Sequence, residues 1–280
     1  MDNYQLTQDQ ITAYGVCLRT EEHTPSTIEK YLRDTRAFAV WLEGRPVTRE
    51  LAAEWRDRLL SSGHKPSTVN SMLAAVNGLF RFLGWGIRVK FLKVQRRLFR
   101  DQSRELTRGE YDLLVNTARA AGKERLALLM EAVCATGVRV SEVKYLTVEA
   151  AQCGRAEIAL KGKIRMILLP NKLCRKLLKY ARKQKIASGE IFLTRSGRSL
   201  SRRQIWAEMK QLCKATGVAS EKDYPHNLRH LFARTFYQAC KDIARLADVL
   251  GHSSIETTRI YLVTTGAEQV RQLDRLGLVS

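Results

Sequence analysis

The chain has 280 residues, 45% of them hydrophobic, and a net charge of +20 at pH 7. That length supports one large or two medium domains with buried cores, and the hydrophobic share excludes a disordered chain. The charge exceeds what solubility requires and points to a polyanionic partner, with nucleic acid favoured over a membrane surface because no basic amphipathic helix with an aromatic edge stands out. It is uneven: residues 1–90 hold 12 Lys and Arg against 10 Asp and Glu, whereas residues 91–280 hold 36 against 18. The longest apolar stretch, Leu126 to Val138, is broken by Glu131 and is too short to cross a bilayer. The N-terminus lacks a basic-then-apolar leader, so a cytoplasmic protein is expected.

The first third contains an internal echo. TPSTIEKYLRDTRAFAVWL (Thr24–Leu42) and KPSTVNSMLAAVNGLFRFL (Lys65–Leu83) align at an offset of 41 residues. Each places Pro-Ser-Thr before a helical pattern of apolar residues, with Ser26 and Ser67 as candidate N-caps. Two copies are too few for a solenoid. With shorter helices around Thr7–Arg19 and Thr48–Ser61 they predict a small four-helix domain. The basic stretch KFLKVQRRLFRDQSRE (Lys90–Glu105) has no sustained apolar face and reads as a linker, one that could track phosphates. The expected organisation is a helical domain over 1–92, a linker over 93–105 and a second domain over 106–280.

From Thr107 the pattern is helical to about Ala135, breaks at Thr136-Gly137 and resumes near Val140. Ala156–Leu160 and Ile164–Leu169 are short β-prone runs separated by Lys161-Gly162-Lys163, a hairpin. Helices return at Asn171–Gln184, at Gln204–Thr216 and from Pro225 onward. The second domain is therefore mainly α with a small antiparallel sheet. The six cysteines show no metal-ligand spacing and read as reduced, mostly buried thiols.

Four separated segments carry the polar residues of interest: ATGVRVSEV (Ala135–Val143), LKGKIR (Leu160–Arg165), PHNLRHLFA (Pro225–Ala233) and LGHSSIETTRIY (Leu250–Tyr261). They contribute Arg139, Lys161, His226, Arg229, His252 and Tyr261. Singly each has an ordinary explanation: Arg139 pairing with Glu142 one turn on, His226 and Arg229 as a surface pair, Lys161 solvated, Tyr261 in a core. Together, their order and spacing resemble the tyrosine site-specific recombinases, the family of phage integrases, Cre and the Xer recombinases. That family's signature is Arg, a β-hairpin Lys, His-x-x-Arg, Gly-His and a Tyr about nine residues later. The resemblance spans nearly the whole chain, since the first ninety residues look like the family's SAM-like core-binding domain. It implies a DNA breaking-rejoining catalytic fold for the second domain.

The resemblance implies that Tyr261 is the nucleophile, that Arg139 and Arg229 clamp the scissile phosphate, that His226 assists proton transfer and that His252 hydrogen-bonds the phosphate. Lys161 would protonate the leaving oxygen, with Lys163 as its competitor in the same hairpin. The chemistry suits these residue types. A tyrosine with a pKa of about 10 must lose its proton during attack. Guanidiniums stabilise charge on the non-bridging oxygens by paired hydrogen bonds, and an ammonium can serve as general acid. His230 is expected to be structural, because adjacent helical residues point about 100° apart. Tyr180, Tyr224 and Tyr237 lack the Gly-His spacing.

The family uses no metal or other cofactor, and no carboxylate cluster is present in the sequence to hold one. The resemblance further implies double-stranded DNA as partner, a homotetramer on two DNA sites with a dimer on each, and accessory DNA-bending or directionality factors. The tail residues Val270, Leu273, Leu276 and Leu278 could dock on a neighbour or on their own protomer. The absence of a further domain before the core-binding helices, and a tail unlike the usual Xer ending, favour a mobile-element integrase. Xer-like dimer resolution, a catalytically inactive DNA-binding homologue and a topoisomerase remain the alternatives.

Overall fold

The computed structural model describes residues 4–94, 102–160, 163–222, 225–261, 269–271 and 274–277. The chain divides into two compact units, Met1–Arg96 and Arg97–Ser280.

The first unit contains helices α1 (Gln8–Thr20), α2 (Pro25–Leu42), α3 (Arg49–Ser61) and α4 (Pro66–Phe82). Thr7 caps α1 in a capping box with Gln10. The echoed segments α2 and α4 begin differently from expectation. Pro25 and Pro66 occupy the first helical turn, the caps are Thr24 and Lys65, and neither makes a side-chain cap bond. A proline fits there because its ring presets the helical φ and it has no amide to satisfy, which moves Ser26 and Ser67 inside the helix. The two copies pack on each other. Lys30 Nζ donates to the Ser71 carbonyl at 3.0 Å, joining equivalent positions of the repeat, and to the buried Asp34 carboxylate at 2.8 Å. Phe38 anchors the core, meeting Trp55 and Phe80 edge-on at 5.0 and 5.7 Å between ring centres.

Beyond α4 the chain runs back along that helix with Ile87 and Val89 buried. Two asparagines seven residues apart, on one face of α4, each pair with its backbone. The Asn77 amide bonds both N–H and C=O of Val89 at 2.9 Å, and the Asn70 amide does the same at Leu92 at 2.8–2.9 Å. The basic segment thus starts as pinned backbone. Residues 95–101 lie outside the described residues.

The second unit contains α5 (Arg108–Ala120), α6 (Glu124–Thr136), a 3₁₀ turn (Val140–Tyr145) and α7 (Val148–Cys153). Strands β1 (Arg155–Leu160) and β2 (Lys163–Leu168) follow, then α8 (Asn171–Lys183), α9 (Arg202–Thr216), α10 (His226–Cys240), α11 (Ile243–Leu250) and α12 (Ile255–Arg259). Helix α6 is the centre of the core, with Leu126, Ala127, Leu129, Met130, Ala132 and Val133 all at most 2% exposed. It ends at Gly137, whose φ of +65° suits glycine and where a Cβ would lie 2.4 Å from the Phe232 ring. The expected helix at Val140 is instead the 3₁₀ turn. Strands β1 and β2 pair antiparallel from Arg155↔Leu168 to Leu160↔Lys163, the predicted hairpin. Lys161, predicted at its turn, lies outside the described residues, as does Tyr224. Among the cysteines only Cys174 and Cys213 are buried, while Cys153 and Cys240 are exposed, so the expectation of mostly buried thiols does not hold.

Replacing Asn70 and Asn77 together by alanine removes four hydrogen bonds at about 1 kcal/mol each. Amide exchange at Val89 and Leu92 is expected to accelerate while the α1–α3 core stays protected. Unchanged exchange at those two amides would mean that burial of Ile87 and Val89 alone holds the segment.

Candidate active site

Five of the six predicted residues are described, and the fold brings them together. Arg139 precedes the 3₁₀ turn directly after the Gly137 break. His226 and Arg229 lie on the first turn of α10. His252 follows Gly251, the left-handed C-cap of α11, and Tyr261 follows α12.

Arg229 is the centre of the cluster. Its side chain is 1% exposed. One terminal nitrogen donates to the Gly137 carbonyl. The other donates to the Leu250 carbonyl at 2.8 Å and lies 2.9 Å from His252 Nε2. Its Nε has no partner among the described residues. Burial and then the charge of Arg139 lower its pKa to about 10, partly offset by the nearby Tyr261 hydroxyl, so it stays charged at neutral pH.

Because a guanidinium can only donate, His252 Nε2 accepts from Arg229. Its Nδ1 then carries the hydrogen and donates to Thr258 Oγ1, 2.8 Å away and fully buried. The His252 ring lies nearly parallel to that of Tyr261, at 5.9 Å and 16°. On its other side Tyr261 meets His230 edge-on at 4.7 Å, and His230 meets His226 in the same way at 4.7 Å. Tyr261 is 5% exposed and packs with Ala233, Leu246 and Leu250. His230 therefore stands inside the cluster. Its position four residues from His226, on one face of α10, outweighs its angular offset from Arg229.

Glu142, 2% exposed, joins the remaining charges. It accepts from the Arg139 backbone and guanidinium, both at 2.8 Å, and from Arg165 Nη2 at 2.5 Å. Burial pushes its pKa up, but the Arg139 hydrogen bonds and the Arg165 charge outweigh this and hold it below the usual carboxylate range. Arg165, on β2, also donates to the Val249 carbonyl at 3.1 Å. Its side chain lies against Gly251, where a Cβ would sit 2.3 Å from Arg165 Cδ and where φ is +62°. Arg165 and Thr258 were not singled out in the sequence. Glu142 left a signal, an acid one turn after Arg139; Arg165 left none beyond its place in the hairpin.

Beside the cluster opens a cleft of about 640 Å³, lined among others by Arg139, Arg202, Arg203, Trp206, His226 and Arg229. Among the described residues the lining carries cations and no carboxylate, which suits an anion. Among the described residues, no group of three or more His, Cys, Asp or Glu side chains is placed to hold a metal ion. Likewise no helix among them is long and apolar enough to cross a membrane.

The histidines are held neutral. Burial, then neighbouring cations, lowers His252 to about 4, and burial, then His226 and Arg229, lowers His230 to about 4. His226 is more exposed, yet the protein around it, then Arg229, Arg139 and Arg202, also lower its pKa. Groups with depressed folded values take up protons on unfolding between the folded value and about 6.5. The second unit should therefore be most stable above about pH 6.5 and lose stability towards pH 4. Thermal melts across this range check it, and a constant melting temperature would contradict the buried neutral histidines.

Residues 104–267 match the model of the phage integrase family, and residues 11–86 match the phage integrase N-terminal SAM-like domain. The chain is 31% identical to tyrosine recombinase XerC of Roseiflexus castenholzii over 90% of its own length and 88% of the relative's. It is 31% identical to tyrosine recombinase XerD of Brucella abortus over 84% and 86%. In fold it resembles a lambda integrase tetramer bound to a Holliday junction, with a TM-score of 0.74, 19% identity, and 93% and 78% of the two chains covered. It also resembles the Tn1549 transposon integrase in complex with transposon right end DNA, with a TM-score of 0.70, 16% identity, and 96% and 99% covered. With both its domains matched and the five described signature residues gathered around one buried arginine, the chain belongs to the phage integrase family of tyrosine recombinases.

Proposed function

We propose that this recombinase cleaves and rejoins duplex DNA at a specific site through a 3′-phosphotyrosyl intermediate formed on Tyr261. The observation that carries this reading is the contact of Tyr261 with His252 and His230 beside the buried Arg229. The phenol oxygen attacks the scissile phosphorus and gives up its proton, with His226 assisting. The bond to the 5′-oxygen breaks, and that oxygen takes a proton from Lys161. The new phosphodiester keeps the energy of the old one, so religation by the 5′-hydroxyl needs no ATP.

Arg139 and Arg229 neutralise the charge that builds on the non-bridging oxygens. Arg229 is suited to this because its backbone partners hold the guanidinium in place before substrate arrives. A phosphate beside His252 raises its pKa, which favours protonating Nε2 and so turning it into a donor. The lambda integrase tetramer on a Holliday junction, similar in fold, supports four protomers acting on two sites.

For the biological role we favour integration of a mobile element, with accessory factors setting direction. The fold shared with the Tn1549 integrase is in keeping with it. The curated relatives at 31% identity are named XerC and XerD, which equally supports dimer resolution.

Incubating the protein with a random-sequence duplex pool is expected to give a denaturant-stable adduct enriched in one sequence, and Tyr261→Phe to give none. An adduct with Tyr261→Phe would remove Tyr261 as nucleophile. Adduct without sequence enrichment would favour a topoisomerase, and none with the wild type a binding protein. Lys161→Ala should slow cleavage by about 100-fold or more, and a 5′-bridging sulfur, a leaving group that needs no acid, should restore it. Restoration confined to Lys163→Ala would transfer the role to Lys163.

A further inference from the structure

Helix α8 reads NKLCRKLLKYARK, six cations and no carboxylate in 13 residues. Helices α5, α6 and α9 of this unit each include at least one acid, and α10, which also has none, carries only two arginines. Its apolar face is consumed by the core, where Leu173, Cys174, Leu177, Tyr180 and Ala181 are buried. That accounts for its amphipathicity and leaves no apolar face for a lipid surface. On the opposite side Lys172, Arg175, Lys179 and Arg182 are exposed, at spacings of three, four and three residues. Such spacing makes one continuous stripe along the helix.

The stripe is flanked by two ion pairs that fix its direction. Lys176 meets Glu131 at 2.6 Å and Lys183 meets Glu124 at 2.7 Å, so α8 runs antiparallel to α6. The four stripe cations pair with no carboxylate among the described residues. Helix α6 ends at the Gly137–Arg139 corner of the cleft, and Lys172 shares a groove with Cys134 and Ala135 just before that corner. The stripe thus begins level with the cleft and leads away from it, over about 15 Å of helix rise. None of its cations lines the cleft. A stripe of that length matches on the order of four phosphates of one strand at about 3.4 Å axial spacing, given the reach of Lys and Arg side chains.

We propose that the exposed face of α8 is a second DNA-contacting surface, holding the phosphate backbone of the duplex flank that leaves the cleft. It adds sequence-independent affinity outside the cleaved core. The inference rests on duplex DNA occupying the cleft, and continuity of the stripe with the cleft end of α6 selects the flank of that same duplex. An uninterrupted row of cations, unpaired among the described residues, fits a regular polyanion, since each contacted phosphate releases a condensed counterion.

The test replaces Lys172, Arg175, Lys179 and Arg182 together by glutamine, which keeps helix propensity and removes the charge. The probes are the duplex captured covalently in the experiment above, trimmed to a core of about 30 base pairs, and the same core with arms of similar length. On the armed duplex, the slope of log affinity against log salt should become shallower by about 3 to 4 in the variant. On the trimmed core, slope and adduct yield should match the wild type. An unchanged slope on the armed duplex overturns the proposal, whatever acidic protein the stripe then binds. An equal loss on the trimmed core overturns it too, because the stripe would then face the core itself. Adduct yield on the trimmed core measures the cleavage reading separately, so the two ideas fail by different observations.

Discussion

The catalytic unit is organised around one buried guanidinium. Arg229 spends its terminal nitrogens on the Gly137 and Leu250 carbonyls and on His252, tying the end of α6, the end of α11 and the following turn to α10. Helix ends leave carbonyls unsatisfied, and burying them without donors is costly. Arg229 resolves this by donating to both, and the carbonyl dipoles in turn help keep a 1% exposed charge inside the protein. Each partner makes the other tolerable. The same bonds set the His252 tautomer, since the guanidinium fixes Nε2 as acceptor and leaves Nδ1 to Thr258.

A second ionic centre carries this order to the hairpin. Glu142 stands between Arg139 and Arg165, and Arg165 reaches the Val249 carbonyl just before the Gly251 turn. Strand β2, Arg139 and the end of α11 are thereby joined through one carboxylate. Among the described residues, three arginines against one acid leave the region short of negative charge. A phosphate would supply it, and the proposed chemistry makes use of that vacancy.

Sequence and structure agree where local rules suffice. The 41-residue echo marked α2 and α4, the Gly137 break ended α6, and two β-prone runs paired as β1 and β2, with Lys163 already part of β2. Local rules also misled where two signals competed. Proline at the first helical turn displaced Ser26 and Ser67 from the cap position, and a 3₁₀ turn replaced the helix expected at Val140. His230, expected to be structural, shares a face of α10 with His226 and packs against Tyr261. Arg165 was invisible as a site residue, because an arginine in a strand pattern carries no mark of the carboxylate 23 residues earlier that it meets.

By itself the sequence determined the family, the two-part organisation and the order of the polar residues, because spacing along a helix or across a hairpin is a property of the chain. Only the tertiary structure decided which of those residues are buried and what each one touches. Arg229 could have been a surface cation and Tyr261 an isolated core phenol. Burial of the first depends on the Gly137 and Leu250 carbonyls, 92 and 21 residues away, and stacking of the second depends on α12 folding it back onto His252, contacts that no local pattern encodes. The unpaired stripe on α8 shows the same division. Its cations are plain in the sequence, but that the four find no acidic partner among the described residues follows from where α6 placed Glu124 and Glu131.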